Sequence, residues 1–121
     1  MRKKILVVED HVDIRKMLRL SLGCSYEILE AEDGVAALAI IRNMLPDIVL
    51  LDVKIQGEMD GFELLDVIKS THFMRNVIVV MITVHAQTAD RDKGIDLGAD
   101  AYFSKPFSLR KLGDTIRDLV N

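Results

Sequence analysis

Pro46-Asp47-Ile48-Val49-Leu50-Leu51-Asp52 is the stretch on which the fold turns. Four consecutive apolar residues opening on two β-branched ones are too short for a buried helix and suit a strand covered on both faces. Pro46 punctuates the chain before the run, and a carboxylate stands at its far end. The same signature recurs on either side. Ile5-Leu6-Val7-Val8 reads as a first buried strand and 26–29 as a second. Val77-Ile78-Val79-Val80-Met81-Ile82 is the strongest strand of all, and Ala101-Tyr102-Phe103 is a short fifth.

Helical spacing fills the gaps. Ile14, Met17, Leu18 and Leu22 predict a first helix. Asp33 is placed as the N-cap of a second carrying Val35, Leu38, Ile41 and Leu45. Phe62, Leu65 and Ile68 share one face of a third. Residues 86–97 are polar and poorly periodic, and Gly98 reads as a helix stop. Leu109, Leu112, Ile116 and Leu119 form the clearest stripe. The pattern is strand then helix, five times. Strands buried on both faces with crossover helices require a parallel sheet. At 121 residues the chain is far below the roughly 250 of an eight-stranded barrel. The expected class is therefore α/β, an open, doubly wound, five-stranded parallel sheet forming one domain over residues 1–121.

Composition narrows the function. Half the residues are apolar, so a core can form. Sixteen Lys and Arg against nineteen Asp and Glu leave a net charge of −3, which argues against direct nucleic-acid binding through phosphates. The apolar runs are too short to span a membrane, and the opening residues lead us to expect no signal peptide. Cys24 is the single cysteine, so no internal disulfide forms. A cytoplasmic location is expected.

In doubly wound sheets ligands bind beyond the carboxyl ends of the strands. Those ends carry Glu9-Asp10 after the first strand, Asp52 after the third, Thr83 after the fourth and Lys105-Pro106 after the fifth. Each alone reads as an ordinary turn or cap residue. Together they are three carboxylates, a hydroxyl and an amine on one sheet edge. The carboxylates repel one another unless a cation screens them, and such oxygen ligands suit Mg²⁺. A lysine and a hydroxyl opposite the metal can grip a phosphoryl group, which a carboxylate nucleophile can accept.

At this point the chain resembles response-regulator receiver domains of two-component phosphorelay signalling. The likeness runs from Lys3-Lys4-Ile5-Leu6-Val7-Val8-Glu9-Asp10 through Pro46-Asp47-Ile48-Val49-Leu50-Leu51-Asp52 and Met59-Asp60-Gly61-Phe62-Glu63-Leu64-Leu65. It continues to Gly98-Ala99-Asp100-Ala101-Tyr102-Phe103-Ser104-Lys105-Pro106-Phe107 and the last helix. The resemblance implies the flavodoxin-like (βα)5 receiver fold. It implies that Asp52 accepts a phosphoryl group from a phosphohistidine on a sensor histidine kinase or phosphotransfer protein. Asp10, Asp52 and the backbone carbonyl of Lys54 match direct Mg²⁺ ligands, with Glu9 acting through water. Lys105 matches the phosphate-pairing lysine, followed by a cis bond to Pro106. Thr83 and Tyr102 match the switch pair. Ile14, Met17, Pro106 and Phe107 match partner-docking positions. The fourth helix, fifth strand and last helix match the face that meets a downstream effector, on a monomer or a phosphorylation-dependent dimer. Such a domain is no conventional enzyme, although it catalyses its own phosphorylation and slow dephosphorylation.

The sequence departs from the family pattern in places. The loop Lys54-Ile55-Gln56-Gly57-Glu58-Met59 lacks the usual proline and carries an extra residue. Val84 stands where a small residue is usual, and His85 follows it. Lys54, Val84 and His85 are expected to tune the lifetime of the phosphorylated state. For Val84 and His85, an unchanged hydrolysis rate in their alanine variants would exclude this. His11 and His72 read as surface residues without companion ligands, and Cys24 as an inert thiol. The rival functions are weaker. A phosphorylation-independent interaction module would be expected to have lost some of the five site residues. A phosphohydrolase with an aspartate nucleophile wants a second acid where Lys54 stands. A flavin binder wants a hydroxyl- and glycine-rich loop where Glu9-Asp10-His11-Val12-Asp13 stands.

Overall fold

The structure, a computed structural model, describes residues 2–83 and 88–120. Five strands, β1 (Lys4–Val8), β2 (Glu27–Ala31), β3 (Ile48–Asp52), β4 (Ile78–Thr83) and β5 (Ala101–Ser104), alternate with five helices. The helices are α1 (Val12–Leu22), α2 (Gly34–Met44), α3 (Gly61–Ser70), α4 (Thr88–Asp96) and α5 (Leu109–Val120). All strand pairs are parallel, in the order β2-β1-β3-β4-β5. The order reverses between β1 and β3, which marks the crevice where this class of sheet binds ligands. The expected fold class is what the chain adopts.

The period-two alternation of strand side chains divides the core into two layers. Leu6, Val8, Val49, Leu51, Val79 and Met81 face α2 and α3. Ile5, Val7, Ile48, Leu50, Val80 and Ile82 face α1 and α5, meeting Leu18, Leu22, Leu112 and Ile116. Each such side chain, fully buried, contributes about 1.5–3 kcal/mol relative to exposure.

Two elements differ from their expected course. Strand β2 runs from Glu27 to Ala31, two residues later at its far end than expected, and Tyr26 packs against the α1/α5 layer instead of opening the strand. In α2 the buried face is Gly34, Ala37 and Ile41, whereas Val35 and Leu45 are exposed. The small residues turn inward because the helix lies close to the β3–α3 loop: a Cβ at Gly34 would stand 3.1 Å from Met59 Cβ. Asp33 caps α2 as expected, its Oδ1 accepting from Ala36 N at 2.8 Å. Gly98 has φ +103°, in keeping with its reading as a stop.

Candidate functional site

The strand ends deliver the expected groups to one place. Among the described residues, the buried polar or charged ones are Glu9, Asp52 and Thr83, and all three stand at the carboxyl edge of the sheet. Burying such groups is costly unless they are paired. The pairing comes from Lys105, just beyond β5. Its Nζ lies 2.5 Å from Glu9 Oε1 and 3.1 Å from Asp52 Oδ2. The Lys105–Pro106 bond is cis. Asp52 Oδ1 accepts from the Lys54 backbone N–H at 3.2 Å.

The extra residue after Asp52 leaves this arrangement intact because the loop is pinned at three points. Val53 and Ile55 are buried, Gln56 bridges to Asp33, and Gly61 N–H donates to Val53 O at 2.8 Å. Gly61 permits that last approach, since a Cβ there would fall 2.4 Å from Asp52 O. Asp60 and Glu63 close a reciprocal capping box at the start of α3. The Lys54 side chain is exposed.

The charges at the site are interdependent. Burial pushes the Asp52 carboxyl up and the neighbouring charge of Glu9 adds to this. Lys105 pulls the other way, and the balance stands at about 6. Burial also opposes ionisation of Glu9, but hydrogen bonds from Lys105 and His11 outweigh it and hold that carboxyl down at about 2. Burial disfavours the Lys105 ammonium, yet its bonds to Glu9 and Asp52 raise it above the ordinary lysine value. Glu9 and Asp52 together thus hold one negative charge more comfortably than two.

Asp10 supplies the sign that a cation belongs here. Its Oδ1 is sealed from solvent and takes no hydrogen bond among the described residues. His11 Nδ1 lies 3.0 Å from that oxygen, a charge contact only when the ring is protonated. One ligand atom from each of Glu9, Asp10, His11 and Asp52 can be chosen so that all lie within 4.8 Å of one another. An orphaned, buried carboxylate oxygen beside two further carboxylates fits a hard divalent cation.

Thr83 ends β4, where it pairs with Ser104, and Tyr102 lies within β5, where it pairs with Met81. The Tyr102 phenol shares a hydrogen bond with Thr83. Burial and the charge of Asp90 on α4 nevertheless raise its pKa above the ordinary tyrosine value. Ile14 and Phe107 are half-buried against the α1/α5 layer, while Met17 and Pro106 are exposed. Val84 and His85 lie outside the described residues.

Two residues at the site were not expected. His11 is exposed, as anticipated, but its ring is not without companions: Nδ1 also stands 3.1 Å from Glu9 Oε2. This corrects the reading of a plain surface residue, and the signal was its place directly after two acids. Arg15 donates from Nη1 to the Glu9 backbone carbonyl at 2.7 Å and from Nε to Glu30 Oε1 at 3.2 Å. It ties the start of α1 to β2 and holds the turn that carries Glu9 and Asp10.

A family profile described as the response regulator receiver domain matches residues 5–117. The chain belongs to the response-regulator receiver family. Among curated relatives it is 38% identical over 120 residues to the probable transcriptional regulator ycf27 of Cyanophora paradoxa, covering 98% of this chain and 48% of that protein. It is 37% identical over 111 residues to the phosphate regulon transcriptional regulatory protein PhoB of Pseudomonas aeruginosa, covering 91% of this chain and 48% of that one. The receiver thus spans about half the length of these relatives. Among solved structures, chemotaxis protein CheY4 of Vibrio cholerae superposes with a TM-score of 0.89 at 28% identity, over 98% of this chain and 99% of that one. The receiver is a domain of two-component signalling. Among its described residues no helix is long and apolar enough to cross a membrane.

Proposed function

We propose that this receiver is a phosphoacceptor, that its residues 1–121 act as one such domain, and that Asp52 takes the phosphoryl group from a phosphohistidine of a sensor kinase or phosphotransfer protein. The observation that carries this reading is the buried Asp52 carboxylate held between the Lys105 ammonium and the Lys54 backbone N–H. In the transfer an Asp52 oxygen attacks phosphorus, the O–P bond forms, the N–P bond breaks, and the donor imidazole keeps the electron pair and takes up a proton. Glu9, Asp10, Asp52 and the Lys54 carbonyl would hold Mg²⁺, which offsets the charge on the phosphoryl oxygens when bound.

The chain's own residues do the rest. Lys105 already spans the acceptor and Glu9, so it is placed to follow charge from the carboxylate to the phosphoryl oxygens. Thr83 offers a hydroxyl from the neighbouring strand. Drawing it toward a phosphoryl oxygen alters its bond with Tyr102, and Tyr102 packs against α4. The chemical event is thereby passed to the α4–β5–α5 face, which we assign to a downstream effector. Exposed Met17 and Pro106, with Ile14 and Phe107 beside them, form the docking surface for the phosphodonor.

The test is incubation with acetyl phosphate, with and without Mg²⁺, followed by intact mass. One Mg²⁺-dependent phosphoryl group on wild type and none on Asp52→Asn is the expected result. Absence of both modification and Mg²⁺ binding would overturn it in favour of an interaction module that works without phosphorylation.

A further inference from the structure

We propose that His11 is a direct ligand of the cation at this site, through Nδ1, and that it converts an all-oxygen centre into a mixed nitrogen–oxygen one favouring transition-metal dications over Mg²⁺. The inference rests on the metal-binding reading above and adds a ligand and a selectivity to it.

His11 does not do what its position invites. It occupies the N-cap position of α1, where a side chain ordinarily turns forward to accept from the helix's first N–H groups. It makes no such cap bond. The ring turns back instead, placing Nδ1 3.1 Å from Glu9 Oε2 and 3.0 Å from Asp10 Oδ1. The backbone assists, with His11 N–H donating to the same Glu9 Oε2 at 3.3 Å. Nδ1 is therefore aimed at the two acids, and one of the oxygens it faces is the sealed, orphaned Asp10 Oδ1.

Two sides of the cluster are chemically distinct. Lys105 occupies Glu9 Oε1 and Asp52 Oδ2. The second oxygen of Glu9 faces the imidazole, away from the ammonium. A cation among Glu9, Asp10, His11 and Asp52 can therefore enter on the imidazole side of Glu9, opposite the ammonium. The size is right. Ligand atoms about 2.0–2.2 Å from an ion lie at most about 4.4 Å apart. Here the four lie within 4.8 Å, so the widest pair closes by at most a few tenths of an ångström. The His11 side chain is 68% exposed, which leaves the outer side open to water ligands.

Ligand chemistry then sets the preference. Carboxylate and carbonyl oxygens suit Mg²⁺, whereas imidazole nitrogen suits Ni²⁺ and Zn²⁺. Removing His11 takes away the nitrogen and leaves the oxygens.

The experiment is calorimetric titration of the metal-free protein at one fixed pH with MgCl₂ and with NiCl₂, for wild type, His11→Ala and His85→Ala. The nitrogen spectrum of the histidine rings is recorded with ZnCl₂ in parallel. The expected result is a loss of Ni²⁺ affinity of at least about tenfold in His11→Ala, little change for Mg²⁺, and a Zn²⁺-induced shift confined to His11 Nδ1. His11 is exposed and caps nothing, so its variant folds, and a thermal melt checks this. Equal Ni²⁺ affinity in His11→Ala overturns the proposal. So does a loss found in His85→Ala instead, or tighter Mg²⁺ binding in His11→Ala with Ni²⁺ unchanged, which would make the ring a competitor of the cation. If wild type binds neither Mg²⁺ nor Ni²⁺, the metal reading beneath the proposal falls as well. If Mg²⁺ binds and Nδ1 is untouched, only the His11 proposal falls.

Discussion

Helices α4 and α5 flank the same edge strand, β5, and are attached to the molecule by different forces. Helix α5 sends Leu112 and Ile116 into the core until neither retains any exposed surface. Helix α4 contributes a buried glycine, Gly94, and leaves Ile95 half exposed. Among the described residues its other links are electrostatic: Lys93 sits 4.6 Å above the Phe62 ring of α3, and the charge of Asp90 is felt at the Tyr102 phenol. The carboxylate site beside α4 is likewise held by charge. The difference teaches where the fold can afford movement. Apolar area fixes α5 and the sheet, while α4, which the proposed function makes the region that answers to phosphorylation, is held by interactions that a change of charge can reset.

The sharpest way to break that contrast is to truncate one isoleucine in each helix. Ile116→Ala is expected to destabilise the domain by about 2–5 kcal/mol in urea denaturation. Ile95→Ala is expected to change it by no more than about 0.5 kcal/mol. Equal losses would show that α4 is anchored as firmly as α5.

The next effect concerns charge at the strand ends. The metal-free Asp52 titrates at about 6 in the folded chain against 3.8 for the free side chain, so the folded state holds that proton more tightly. Its ionisation therefore lowers stability progressively as pH rises from about 4 to about 6. Glu9, depressed to about 2 from 4.5, acts in the opposite sense, and its contribution is lost as pH falls between those values. Asp52→Asn removes the first slope. With screening at the open edge allowed for, it should stabilise the metal-free domain at pH 7 by about 1–2 kcal/mol, and by nothing at pH 4. Saturating Mg²⁺ should reverse the order. At about a hundredfold above its dissociation constant a ligand adds about 2.7 kcal/mol, and the variant lacks one of the oxygens proposed to bind Mg²⁺. Thermal melts with EDTA or Mg²⁺ at both pH values check this.

How far the sequence foretold this molecule depends on which force acts. The sheet was legible because apolar area alone decides it: the alternating residues of the buried strands can only face one helix layer or the other. The carboxylates, Thr83 and Lys105 were legible because strand ends converge in this architecture. The face of α2 was not, since size rather than hydrophobicity turned Gly34 and Ala37 inward, and Val35 and Leu45 outward. The roles of His11 and Arg15 were hidden for a related reason. Each acts on atoms of its own neighbourhood, Glu9 above all, through a backbone turn that no periodicity reveals.

A smaller effect is expected at Gly94. A Cβ there would stand 3.4 and 3.5 Å from two Tyr102 ring carbons, which is ordinary contact. Gly94→Ala therefore fits, gains up to about 1 kcal/mol of helix propensity, and gives α4 the side-chain anchor it lacks. Amide exchange across α4 should slow, with α5 unchanged. A variant in which exchange speeds up would mean that Tyr102 needs the space that glycine leaves.

The smallest effect isolates the electrostatic tether itself. Lys93→Ala removes the ammonium from the face of Phe62, a contribution of about 0.5–1 kcal/mol at an exposed position. So small a change is nearly lost in a global melt, but α4 opens locally and amide exchange reads that opening directly. Faster exchange confined to α4, and absent when Lys93→Ala is made on a Phe62→Leu background, would assign the tether to this pair. Faster exchange in both backgrounds would instead place the hold of Lys93 in its stem or charge, and α4 would be attached by something other than the ring beneath it.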